Sequence, residues 1–310
     1  MIIAQSNILL SDRFIVSDNS FFKQLTQQEQ INFLLTNRIP RRYATLFMGW
    51  FSKIENPLIV GISLKLWKIF ADELNLNEAK KSNFTSLHDC FIRELKEDAR
   101  QVNPAADVIT SPSDAIIGAH GTIEEGQLFQ AKGFPYTLAD LLPSQELTER
   151  YKTGKFVTLR LKSTMYHRFH APCNAHVSEV TYISGDTWNV NPIALKRIEK
   201  LFCKNERAVI DLELQQHSGG ITLVPVAAIL VASLKLNFIK ETLNLKYKGP
   251  NRIPCDASIK KGEELGYFQH GSTIILLATD NFSICDDISE GREIKMGETL
   301  LTSSAITNEL

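Results

Sequence analysis

The feature that most constrains the fold is a change of residue pattern at Asn103-Pro104. Before it, residues 20 to 100 read as helical. Ile59, Ile62, Leu66, Ile69 and Phe70 fall at spacings of three and four, with Lys65 and Lys68 between them and Asp72 and Glu73 just after. After it, the chain breaks into short runs rich in Val, Ile, Leu and Thr. Residues 156–161, 208–214, 221–238 (broken at Pro225) and 272–278 read as strands, separated by turn signals such as Ser218-Gly219-Gly220 and Lys261-Gly262. No alternation of strands with long helices signals a parallel sheet. The pattern predicts an α+β fold, with a helical region over 1–102 followed by a mainly antiparallel β core over 103–310.

A formal net charge of -1 over 310 residues gives no basic excess for binding nucleic acid. The five cysteines, Cys90, Cys173, Cys203, Cys255 and Cys285, are scattered and form no CxxC pair, which fits a reducing compartment better than a disulfide framework. Residues 1–14 contain a short apolar stretch without the basic start or small-residue cleavage site of a signal peptide. The apolar run 57–64 is stopped by Lys65, well short of the roughly 18 residues that a membrane span needs. Arg38, Arg41, Arg42 and Lys53 surround the run Leu46-Phe47-Met48-Gly49-Trp50-Phe51. Such a segment suits the surface of an anionic bilayer. It also suits a helical subdomain that packs its apolar face on the rest of the protein.

Three places carry residues suited to chemistry. Ser111-Pro112-Ser113-Asp114 is a turn whose carboxylate can cap a backbone or orient a histidine. Tyr166-His167-Arg168-Phe169-His170-Ala171-Pro172 gathers two of the seven histidines within four residues. His176 follows, but HxxH lacks the glutamate of HExxH and no cysteine pair adds ligands, so no metal site is expected. In an extended segment His167 and His170 point to opposite faces and take different roles. The third place is Gly266-Tyr-Phe-Gln-His270-Gly271-Ser272-Thr273, which runs into an apolar strand and is not the GxSxG elbow of an α/β-hydrolase. Asp114, His170 and Ser272 could also form a serine-hydrolase triad, since triads are defined by geometry and not by order.

Taken together, the three places resemble the phosphatidylserine decarboxylases, which carry an SPxD turn, a YHRxHxP segment and a terminal GST in this order. Phe91-Ile-Arg93, Gln130-Ala-Lys-Gly133 before Tyr136-Thr-Leu138, Pro172-Cys-Asn174, Asn205-Glu206-Arg207 and Lys261-Gly262-Glu263 extend the resemblance over most of the chain. Four positions depart from the family's usual residues: His270 for Leu, Ala115 for Gly, Met165 for Asp and Ser163 for Pro.

The resemblance implies a self-cleaving lyase. His170, oriented by Asp114, would take the hydroxyl proton of Ser272, which attacks the Gly271 carbonyl. The cut between Gly271 and Ser272 leaves residues 1–271 as the β chain and 272–310 as the α chain. Ser272 becomes a pyruvoyl group, whose carbonyl forms a Schiff base with the substrate amine and acts as electron sink for decarboxylation to phosphatidylethanolamine. His167 would then reprotonate the product carbon. The partners implied are phosphatidylserine in an anionic bilayer and the protein's own two chains, a heterodimer able to dimerise further. The place implied is the cytoplasmic face of a bacterial inner membrane, as a peripheral protein. With a lipid substrate, the bilayer reading of residues 38–75 moves ahead of the packing one. Two rival readings, a serine hydrolase using the same three residues and a peripheral membrane protein without catalysis, both leave the chain uncut.

Overall fold

Helices precede strands in the computed structural model, which describes residues 40–70, 74–131, 134–215, 218–230, 233–269 and 272–303. Arg41–Phe51 forms α1 and Pro57–Phe70 forms α2. Asn56 starts α2 by accepting from the N–H groups of Leu58 (3.0 Å) and Ile59 (3.2 Å), and Pro57 lacks only an N–H that a first turn leaves unused. The helical expectation for residues 20–39 lies outside the described residues. Between 74 and 103 that expectation is corrected, because only Leu87–Phe91 (α3) and a single 3-10 turn at Glu97–Ala99 are helical. Short polar side chains divert the backbone there. Asn75 Oδ1 accepts from Asn77 N (3.0 Å) and Asp89 Oδ2 from Thr85 N (3.0 Å), bonds that compete with a helical ladder.

The strands run in chain order as β1 (Val108–Thr110), β2 (Ala115–Thr122), β3 (Gln127–Ala131), β4 (Phe134–Thr137), β5 (Lys155–Leu161), β6 (Arg168–His170) and β7 (Ala175–Ile183). They continue as β8 (Arg207–Leu214), β9 (Ile221–Ala227), β10 (Ser233–Leu236), β11 (Thr242–Asn244) and β12 (Arg252–Ile259). The last five are β13 (Glu264–Phe268), β14 (Ser272–Ala278), β15 (Phe282–Ile284), β16 (Glu293–Ile294) and β17 (Thr299–Ser303). The central sheet has the order β12-β7-β8-β9-β14-β5-β2-β16, and every named strand pair is antiparallel. One face packs against the sheet β11-β10-β13-β6 and the sheet β1-β17-β15. The hairpin β3-β4 and short helices cover the other face. The α+β reading, with helices first and antiparallel strands after, is what the chain adopts.

All seven residues of β14 are buried, and its pairing is unbroken on both sides, from Ser272 opposite Ala227 and Leu161 to Ala278 opposite Ile221 and Lys155. A strand buried on both faces is uniformly apolar after its first two residues, which is why its pattern does not alternate. The expected break at Pro225 is corrected as well. Pro225 sits inside β9 opposite Ile274, and the lapse falls on the β8 side, where Arg207–Val226 and Ile210–Leu223 pair with no pairs between them. A proline is tolerated where the ladder it would interrupt is already open.

Two contacts tie α1 to this core. Arg41 forms two hydrogen bonds to Asp186 (3.1 and 2.6 Å) and lies 3.5 Å from the centre of the Trp188 ring, and Thr45 Oγ1 accepts from Leu230 N at 3.0 Å. Trp67 of α2 stacks on Phe91 of α3 with centroids 5.8 Å apart. The helices are therefore held over one end of the central sheet.

Candidate active site

The topology gathers the three predicted places at that end. Ser272 opens β14 where β5 ends at Leu161 and β9 ends at Ala227. The Ser111–Asp114 turn leads into β2, whose Ile116 lies opposite Arg160 of β5. Between the sheet end and the helices is a cavity of about 840 Å³. Its walls include Met48, Phe51, Trp67, Phe91, Arg160, Leu161 and Ser272. Ser272 is fully buried, and its Oγ has no hydrogen-bond partner among the described residues. Leaving a buried hydroxyl unsatisfied costs about 1–3 kcal/mol, so the position calls for a reason other than stability.

The two histidines occupy different surroundings. The expected strand is shorter than the motif and starts at Arg168, which leaves His167 just before it. His167 is fully buried, donates from Nδ1 to the Met165 carbonyl at 2.8 Å, and lies with its ring 4.1 Å from that of Phe91, itself a wall of the cavity. His170 faces Gly262 and Tyr166. Its Nδ1 must carry the proton, because the Gly262 carbonyl at 2.9 Å can only accept. Nε2 is left as a lone pair, which receives the Tyr166 hydroxyl at 2.9 Å. Burial holds the His170 pKa below 6.5; the Gly262 carbonyl, Glu264 and Asp114 oppose this in part and Arg168 adds to it. Burial also pushes the Tyr166 phenol up, so it stays a donor at neutral pH. His170 is thus a neutral imidazole with its basic nitrogen set by its partners.

Asp114 sits elsewhere than the motif suggests. It does not orient His170 by a hydrogen bond. Arg100 binds both of its carboxylate oxygens, with Nε to Oδ1 at 2.8 Å, and Met296 N donates to Oδ1 at 2.9 Å. Arg100 also reaches Glu78 at 2.9 Å, and its side chain is only 7% exposed. The turn reaches His170 through backbone instead, since His170 N donates to the Pro112 carbonyl at 2.7 Å. Arg93 joins the region by donating to the Thr164 carbonyl at 2.8 Å. No hydrogen bond links the Ser272 hydroxyl to Asp114, His167 or His170, and His270 and Gly271 lie outside the described residues. The motif reading missed Arg100, whose partner lies fourteen residues away outside any recognisable spacing, and gave Tyr166 no part. It also passed over Arg160, which a strand pattern hides among apolar neighbours.

Comparison with known proteins finds similar sequences over most of the chain. The family model described as "Phosphatidylserine decarboxylase" matches residues 87–302. A Brevibacillus brevis protein named "Phosphatidylserine decarboxylase proenzyme" is 33% identical over 276 residues, which cover 87% of this chain and 97% of that protein. A protein of the same name from Vibrio parahaemolyticus is 36% identical over 242 residues, covering 74% of this chain and 84% of that protein. One from Histophilus somni is 31% identical over 297 residues, covering 91% and 98%.

The buried Arg100–Asp114 pair is testable by a double-mutant cycle. Arg100→Leu strands a buried carboxylate and is expected to lower stability by about 3–5 kcal/mol. Asp114→Asn added to that variant should cost little more, giving a coupling of about 2 kcal/mol in urea midpoints. Additive losses would mean that the two residues act independently.

Proposed function

This chain belongs to the phosphatidylserine decarboxylase family, and from that premise we propose that it converts phosphatidylserine to phosphatidylethanolamine after cutting itself between Gly271 and Ser272. The observation that carries the reading is Ser272, a buried, unpartnered hydroxyl at the head of a central strand and on the wall of a cavity large enough for a lipid headgroup. In the cleavage, His170 Nε2 receives the serine proton, and the Tyr166 hydroxyl marks where that nitrogen accepts. Ser272 Oγ adds to the Gly271 carbonyl and the amide nitrogen leaves, which makes an ester. Loss of the Ser272 Cα proton expels the Gly271 carboxylate, and hydrolysis of the remaining dehydroalanine releases ammonia and leaves a pyruvoyl group. Residues 1–271 and 272–310 then stay together because β14 is paired on both sides within the sheet.

A pyruvoyl group fits position 272, where the side-chain oxygen has no bond to lose and the residue faces a largely apolar cavity. When present it supplies the electron sink that loss of carbon dioxide requires. The chain's own residues do the rest. Phe51, Trp67, Phe91 and Leu161 limit water, and His167, packed behind Phe91, is assigned the proton that returns to the product carbon.

Access from a bilayer follows from α1 and α2. Tyr43, Phe47, Trp50, Leu58, Ile62, Leu66 and Ile69 are all exposed, and Leu66 with the exposed Leu230 also lines the cavity. Of the stripe read from spacing, Ile62, Leu66 and Ile69 face outward on α2 and Ile59 is half-buried, while Val60 is buried. Arg41, Arg42, Lys53, Lys65 and Lys68 face a single acid, Glu55, over residues 41–70. No helix among the described residues is long and apolar enough to cross a membrane. An apolar, basic face continuous with the cavity suits a protein resting on anionic lipid.

Intact mass is the deciding measurement. The purified protein should give two chains, the smaller starting at 272, blocked to Edman sequencing and lighter by one ammonia than its serine form. Ser272→Ala and His170→Ala should stay uncut, and precursor cleavage should fall off in acid with an apparent pKa below 6.5, the side to which burial moves His170. A single intact, active chain would falsify the pyruvoyl reading and return the serine hydrolase. His167→Ala should mature normally yet lose most of its kcat; an uncut precursor or parental turnover would sink that assignment. Tyr43, Phe47 and Trp50 changed to serine should release the protein from anionic vesicles, and added salt should weaken binding of the parent. Phe51 is left out because it turns into the cavity.

A further inference from the structure

Among the described residues lining the cavity beside Ser272, only Arg160 and Lys162 carry a full charge, and both are positive. Lys162 is engaged by Glu293 at 3.1 Å. Arg160 has no such partner among the described residues. Its Nε is buried without a hydrogen bond, and the exposed Glu290 attracts it only from beyond ion-pair distance. Arg160 is half-buried, and a guanidinium with one nitrogen cut off from any acceptor offers a place that an anion can complete. Sheet pairing fixes where Arg160 is rooted, and the cavity is lined by both Arg160 and Ser272. Arg160 lies opposite Thr273 on one side and Ile116 on the other, so its backbone is about 5 Å from β14 and one residue along from Ser272.

We propose that Arg160 holds the phosphodiester of the glycerophospholipid while the headgroup amine reaches position 272, an assignment that rests on the decarboxylase reading. A phosphatidylserine headgroup offers two anions, and chemistry separates them. The carboxylate departs as neutral carbon dioxide, so a cation bound to it would lose its partner on the way to the transition state and raise the barrier. The phosphodiester keeps its charge throughout. It is separated from the amine by four bonds, roughly 5 Å, a span that a long arginine side chain rooted one residue along can meet within the shared cavity. The planar fork of arginine suits two phosphate oxygens, and the apolar walls on the helix side suit the glycerol and acyl chains.

The probe is dihexanoyl phosphatidylethanolamine, which has the phosphodiester but no carboxylate to lose. Trp67 in the cavity wall reports its binding to the mature protein by fluorescence. Arg160→Gln should weaken this binding about 10- to 100-fold, with the loss in phosphatidylserine turnover carried mainly by KM. Arg160→Lys, which keeps the charge and guards against a folding failure, should bind within several-fold of the parent. Dihexanoylglycerol, which lacks phosphate, should bind the parent and Arg160→Gln alike, and inorganic phosphate should bind weakly because it lacks the tails. Equal affinity of the parent and Arg160→Gln for the probe, or a loss confined to kcat, would overturn the assignment while leaving the decarboxylase reading intact. A parent that binds the probe through Arg160 yet decarboxylates no phosphatidylserine would defeat the activity and leave the phosphate site standing.

Discussion

The unbroken pairing of β14 between β9 and β5 is the constraint on which the rest of the site depends. Its first residue carries the hydroxyl on which the proposed chemistry turns, and its remaining residues lie in the middle of the core. Ordinary hydrophobic burial therefore locates Ser272 to within the play of a packed sheet. The groups around it are placed through the same sheet. Leu161 and Arg160 arrive on β5, Ala227 on β9, and the Ser111–Asp114 turn enters through β2.

A second layer of constraint is electrostatic. Arg100 brings a cation to Asp114, with both groups largely withdrawn from water, and to the more exposed Glu78 at its edge. That arrangement gives Asp114 a structural task, which keeps the turn before β2 in place and lets its Pro112 carbonyl hold the His170 backbone. The histidine's tautomer is then set locally by Gly262 and Tyr166. Orientation of His170 and anchoring of the turn are divided between different groups.

Much of this was legible in the residues. Short-range pattern announced the helices of 41–70 and the strands at 155–161, 207–214 and 272–278, because burial on one or both faces leaves a periodic mark. It failed between 74 and 103, where Asn, Ser and Asp side chains bond to nearby backbone and an apolar count cannot register the competition. It also misjudged Pro225, since whether a proline breaks a strand depends on which neighbour its missing N–H faces, and that neighbour is distant in sequence. At the site, Ser272, His167, His170 and Asp114 stood out as residue types in a recognisable order. Arg100 and Arg160 did not, because a lone arginine acquires meaning only from the partner, or the missing partner, that folding brings to it.

The exposed face of α1 and α2 runs into the cavity through Leu66 and Leu230, while Arg41 and Thr45 fasten α1 to the sheet. On the proposed reading, in which the protein rests on a bilayer and takes a lipid substrate, this makes the reaction two-dimensional. Once adsorbed, the protein samples substrate by lateral diffusion in the leaflet, and the concentration it meets is a mole fraction of the surface and not an amount per volume of solution. Diluting phosphatidylserine with a neutral lipid at constant bulk concentration then slows turnover, whereas diluting the whole suspension, with the protein kept adsorbed, leaves the rate per enzyme unchanged.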